Sequence, residues 1–233
     1  MNKQGNTYTI LYASVMVIVV AAILAIAAVS LKPYQQANVK VDKMKQILSS
    51  VNITATSQDA VSLYEKYITD SYIIDSKGEK IAGSAFDVDI ATEVRKSGED
   101  RRMPVFVCTL DNGQQKYILP LYGAGLWGPI WGYISVDADG STLYGAYFAH
   151  QGETPGLGAE IEKPAFQQQF VGKKLFIDGQ FKPVAVMKKG QKPLDGADYV
   201  DAISGGTITS KGVQSMITDC LLPYESFLKS LEK

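Results

Sequence analysis

From Tyr8 to Leu31 the chain runs for 24 residues without a charged side chain. A helix rises about 1.5 Å per residue, so a run of this length crosses the ~30 Å hydrocarbon core of a bilayer. A cleaved signal peptide is the competing reading. Its apolar region is normally about 7–15 residues, and Ala25, Ala27 and Ala28 only loosely imitate a cleavage site. The expectation is an uncleaved transmembrane helix over residues 8–31, after a short tail of residues 1–7. Tyr8, Tyr12 and Tyr34 suit the two interfacial belts. Lysines are unevenly placed: Lys3 lies before the run, whereas Lys32, Lys40, Lys43 and Lys45 follow it. Taken alone, that count puts the large C-terminal part in the cytoplasm, since Asp42 weighs little in the positive-inside rule.

Beyond the anchor, Val41, Met44, Ile47, Leu48 and Val51 recur at helical spacing, and a second helical segment is expected from Ser57 to Ile68. Residues 32–70 therefore read as linker and helical segment. Residues 71–233 change character. Strand-like runs occur at Ser71–Asp75, Val105–Leu110, Lys116–Leu121, Trp131–Val136 and Leu143–His150. Lys77-Gly78, Asp111-Asn112-Gly113 and Asp137-Ala138-Asp139-Gly140 punctuate them as turns. The last of these superficially resembles a calcium loop, but the remaining ligand positions are missing, so a hairpin is expected. A short helix at Lys163–Val171, a strand over Gln180–Met187 and a helix beyond Ser210, ended or kinked by Pro223, complete the reading. The fold class is α+β: one N-terminal transmembrane helix, then a soluble domain with an antiparallel sheet and flanking helices.

With 233 residues and 46% hydrophobic content, the chain can bury one good-sized core. A net charge of −1 gives no electrostatic case for nucleic-acid binding. One histidine and two distant cysteines supply a metal site poorly, so no metal is expected. A Cys108–Cys220 disulfide is conceivable outside the cytoplasm, although both residues sit in apolar contexts that suit buried thiols. No Walker motif or strand-anchored GxGxxG supports nucleotide hydrolysis or NADH binding.

Three glycine-bearing loops stand out. Asp201–Ser210 holds Gly205, Gly206 and the hydroxyls of Ser204, Thr207, Thr209 and Ser210, just ahead of the C-terminal helical segment. Glycines admit a ligand close to the backbone, and N–H groups at a helix start attract phosphate; an ordinary turn capping a helix is the alternative. His150–Gly158 carries Glu153, Thr154, Pro155, Gly156, Leu157 and Gly158, a composition that fixes a tight loop. His150 is read as structural rather than as a proton carrier. Leu121–Gly132 combines four glycines with Trp127 and Trp131. Gly125, Leu126 and Trp127 there read equally as a wall for a flat ring or as a hairpin with core tryptophans.

The first loop resembles the flavinylation signature Asp-x-x-(Ser/Thr)-Gly-Ala-Thr, with Gly206 in the alanine place. The second resembles a Glu-Thr-Pro-Gly-Leu-Gly loop, and the third a Gly-x-Gly-Leu-Trp core. All belong to the FMN-binding domain family shared by the Na+-translocating NADH:quinone reductase and the Rnf-type ferredoxin:NAD+ reductase. The Lys32-Pro33-Tyr34-Gln35-Gln36-Ala37-Asn38 stretch is similar to that of the first complex's flavin-bearing C polypeptides. The resemblance implies one covalent FMN per chain, esterified to Thr207. Ser204, Gly205, Gly206, Thr209, Ser210, Glu153, Thr154, Gly156, Leu157 and Gly158 then surround it, joined by Gly125, Leu126 and Trp127, with no catalytic residue. It implies an electron relay between an iron–sulfur centre and another flavin subunit, partners in a multi-subunit complex, and loading by a flavin transferase. It also places the domain on the periplasmic side of a bacterial inner membrane, against the lysine count. The homologous flavin-bearing polypeptide of an Rnf complex and a membrane-anchored sensory or ligand-binding domain remain the alternatives.

Overall fold

The computed structural model describes residues 5–231; Lys3 lies outside them. The chain divides into two compact units, Met1–Lys43 and Met44–Lys233. Helix α1 is Asn6–Ser50 and has Pro33 in its interior. The expected linker at residues 32–38 is therefore helical. Proline removes one backbone donor, and the neighbouring lysines, glutamines and alanine are good helix formers that hold the helix on either side. Among the described residues of the first unit, a long series of apolar side chains, Val17, Ile18, Leu24, Ile26 and Val29 among them, is exposed. Such a surface fits a membrane anchor.

The second unit opens with the last residues of α1, α2 (Ala60–Tyr67), β1 (Ile68–Ile74), β2 (Lys80–Ile81), α3 (Ile90–Glu93) and β3 (Met103–Thr109). It continues through β4 (Gln115–Ala124), β5 (Pro129–Asp137), β6 (Leu143–His150) and α4 (Pro164–Gln167). Strands β7 (Phe176–Ile177), β8 (Gln180–Phe181), β9 (Ala185–Met187) and β10 (Tyr199–Asp201) precede α5 (Thr207–Leu221) and α6 (Glu225–Leu231). Strands β1 to β6 form one antiparallel sheet in the order β2-β1-β3-β4-β5-β6. The expected hairpins close it: Gly113 and Gly140 adopt φ of 80° and 71°, which glycine reaches without strain. Asp139 accepts from the N–H groups of Ser141 and Thr142 at 2.9 and 2.8 Å, tying the second turn to itself.

Side chains alternate across a strand, and here both faces are covered. Leu119 and Leu121 of β4 join a core with Met216, Leu221 and Phe227, while Ile118 joins another with Ile47, Val51 and Phe106. Cys220 belongs to the first core and Cys108 to the second, and both are free thiols. Burial pushes each thiol up to about 11, so neither is poised for oxidation.

The C-terminal expectations change in detail. Gln180–Met187 is two strands in different sheets, β8 antiparallel to β7 and β9 parallel to β10, separated by Pro183. The Lys163–Val171 segment is α4 followed by a 3-10 turn at Gln168–Phe170. Pro223 sits in a 3-10 turn between α5 and α6, as its missing N–H demands.

Helix α5 lies unusually close to β4. A Cβ on Gly212 would collide with the Ala124 carbonyl oxygen, and one on Gly123 would come within 2.7 Å of Met216 Cβ. Two glycines facing one another's elements thus allow the helix to approach the sheet and bring its N-terminus to the β4–β5 loop.

Candidate functional site

Helix α5 begins at Thr207, behind an N-cap Gly206 that offers no side-chain cap, and its first helical bond runs from Ser210 N–H to Gly206 O at 2.8 Å. Its leading N–H groups are therefore not met by a capping side chain. Gly205, at φ 76°, turns the chain into the helix, and a Cβ there would lie 2.7 Å from Leu157 Cδ2. The hydroxyl residues then separate by environment. Ser204 and Thr207 are exposed; Thr209 and Ser210 are buried. Ser210 Oγ accepts from Ile203 N–H at 3.0 Å, and Thr209 Oγ1 donates to Glu153 Oε2.

Glu153 joins the three loops. Its Oε1 accepts from Trp127 N–H at 2.8 Å and its Oε2 from Thr209, and the backbone at Leu126 also favours its charge. Only 4% of the residue is exposed. Burial pushes the carboxyl up, but the bonds from Thr209 and Trp127, helped by the backbone at Leu126, outweigh it and hold it below its ordinary value, hence ionised. Glu153 N–H donates to His150 Nδ1 at 3.1 Å, which places the imidazole proton on Nε2, 3.5 Å from Glu162 Oε2. His150 thus ties the start of the loop to Glu153. Glycine makes room for this carboxylate. A Cβ on Gly125 would approach Glu153 Oε1 to 2.5 Å, and one on Gly158 would strike both Glu153 Oε2 and Thr209 Oγ1.

One cleft of ≈ 340 Å³ is walled by all three loops: Leu126 and Trp127, then Glu153, Thr154, Leu157 and Gly158, then Gly205 to Thr209. Leu126, Leu157 and Ile208 are exposed, and Trp127 is 68% exposed. Trp127 is thus no core tryptophan, although the segment is a hairpin. Trp131 is half-buried and donates through Nε1 to Gln46 Oε1 at 3.1 Å. A second cleft, of ≈ 540 Å³, shares Gly205 and Thr207 with the first and adds Ser204, Ser210 and residues of the segment after β9.

Two expected pocket residues stand outside both clefts. Gly125 backs the Glu153 carboxylate instead. Gly156 has open space around it, so its requirement is a φ of 77° and not a close approach to a ligand; its N–H donates to Glu160 Oε1 at 3.0 Å. The sequence reading missed Ile208, which adds an apolar wall, and Gly123 and Gly212. A glycine inside a helical pattern was the available signal for Gly212.

Residues 125–222 match the FMN-binding domain family. The chain is 34% identical to the C subunit of the Na(+)-translocating NADH-quinone reductase of Vibrio vulnificus, over 84% of this chain and 83% of that protein. With the same component from Neisseria meningitidis serogroup B the identity is again 34%, over 98% and 96%. A crystal structure of the Parabacteroides distasonis counterpart superposes with a TM-score of 0.80 at 50% identity, covering 85% of this chain and 96% of that one. Shewanella oneidensis NqrC gives 0.68 at 26%, covering 83% and 98%. Fold, loops and relatives agree, and the chain belongs to the NqrC family, the C subunits of Na(+)-translocating NADH-quinone reductases.

Proposed function

We propose that the chain is the membrane-anchored electron-transfer subunit of a Na+-pumping NADH:quinone reductase, with one FMN esterified through its phosphate to Thr207 Oγ1. The observation that carries this reading is the setting of Thr207. The residue is exposed at an uncapped helix start, on a cleft whose other walls come from the two remaining glycine loops. Thr209 and Ser210 have equivalent chemistry but are buried and already bonded. The residues fit the cofactor. Leading N–H groups of α5 suit a phosphate, and Leu126, Trp127, Leu157 and Ile208 offer exposed apolar surface to a flat ring. When bound, FMN supplies one- and two-electron redox chemistry.

The chain's own part is to hold, orient and shield. Glu153, the acidic residue lining this cleft, is ionised and engaged by Trp127 and Thr209, so it orients loops and moves no proton. A covalently held flavin suits relay, here between an iron–sulfur centre and the flavin of a neighbouring subunit. The apolar span carries no charged side chain for an ion path, which leaves Na+ movement to partner subunits. The helix sits in the lipid of a bacterial inner membrane with its N-terminus inside. Residues from about Pro33 onward lie on the periplasmic side, where a flavin transferase loads the domain. Thr207→Ala in the full chain is expected to abolish in-gel flavin fluorescence while Thr209→Ala stays fluorescent; the reverse pattern moves the attachment to Thr209.

A further inference from the structure

Thr207 borders two clefts of unlike character. The one above is walled by exposed apolar side chains. The other, ≈ 540 Å³, is flanked by Lys188 and Lys189 from the segment after β9 and by Lys211 from the second turn of α5. No acidic side chain among the described residues lines it. Other lysines of this unit do find carboxylates, among them Lys66 with Asp111 at 2.8 Å, Lys96 with Glu93 at 2.7 Å and Lys116 with Asp137 at 2.7 Å, so what sets this cleft apart is three cations converging on one concavity. Lys188, Lys189 and Lys211 stand at the surface, and none makes an ion pair or side-chain hydrogen bond with another described residue. Three uncompensated cations around one concavity make a local positive potential, and the N-terminal end of α5 adds to it with the same sign.

We infer that this cleft is the phosphate subsite of the flavin nucleotide: Lys188, Lys189 and Lys211 recognise the phosphate end on the face of Thr207 turned from the ring wall. Lysine is a compact charge on a flexible stem and suits a phosphate approached from several directions. Ser204 and Gln191, on the same cleft, offer a hydroxyl and an amide to the hydroxyls of the ribityl chain. The volume is ample for a phosphate with its attached polyol. The inference rests on the Thr207 reading and deepens it, because it divides the cofactor between two clefts.

The test uses the full chain in detergent, made in cells lacking a flavin transferase so that Thr207 is free. Free FMN and riboflavin, which differ only in the phosphate, are titrated by quenching of flavin fluorescence. FMN is expected to bind about tenfold more tightly at low salt, a margin set by three exposed charge pairs, and the margin should shrink as salt rises. In the Lys188→Gln/Lys189→Gln/Lys211→Gln chain FMN should fall to the riboflavin level, with riboflavin binding unchanged. That unchanged arm also shows that the variant has folded. A variant that keeps the FMN margin overturns the subsite, as does a wild type that binds both flavins equally; either result leaves the ring wall standing. Binding of neither flavin removes the ring wall, and this inference with it.

Discussion

At the scale of single residues, Glu153 decides how the site is held. A buried carboxylate is costly unless its lone pairs are met, and Trp127 N–H and the Thr209 hydroxyl meet them, one on each oxygen. Its folded value lies below the ordinary 4.5, so its contribution is present above that value and is lost as pH falls through the folded one. Glu153→Gln keeps the shape and removes the charge. It is expected to destabilise the domain by about 1–3 kcal/mol at pH 7 and to lower flavin loading. The deficit should narrow on acidification below 4.5, measured as urea midpoints across pH. A constant difference at every pH would show that the charge contributes nothing. The sequence made Glu153 visible as a motif member but hid its task, because its partners Trp127 and Thr209 lie 26 and 56 positions away. Likewise Thr207, Thr209 and Ser210 carry equivalent hydroxyls; the motif resemblance singles out Thr207, but the exposure of the first and the burial of the others come only with folding.

Among elements, the contact of α5 with β4 sets where Thr207 stands. Replacing a helix-interior glycine with alanine normally stabilises by about 1 kcal/mol. At Gly212 the sign should reverse, since the added Cβ meets a backbone carbonyl that cannot step aside. Gly212→Ala is therefore expected to lower stability by about 1–3 kcal/mol and to reduce flavin loading, with exposed Ser215→Ala near neutral as a control. A rise in melting temperature for Gly212→Ala would mean that the close approach does not constrain the helix. The long strands β3 to β6 and their turns were legible, because runs of apolar, β-branched and aromatic residues bounded by glycine turns have few other solutions. Strands β7 to β10 are two or three residues long, too short to carry a period, which is why Gln180–Met187 read as one strand. The cysteine pairing was open in the sequence because burial alone does not say on which side of a sheet a residue lies. The packing puts Cys108 and Cys220 in different cores.

For the whole molecule, two forces oppose one another in orientation. Lys32, Lys40, Lys43 and Lys45 favour retention of the C-terminal side in the cytoplasm, whereas the loading and relay proposed above call for the domain outside. Assembly with partner subunits can settle a single span against its own lysine count. Alkaline phosphatase fused after Lys233 is expected to be active and green fluorescent protein in the same place dark. The opposite pair of results places the domain in the cytoplasm. The central claim, one FMN on Thr207, is tested most directly by mass spectrometry of the chain purified from its native membrane complex. The account predicts an intact mass raised by one FMN less a water, with the whole increment on the peptide that contains Thr207. An unmodified chain, or the increment on a peptide without Thr207, would contradict it.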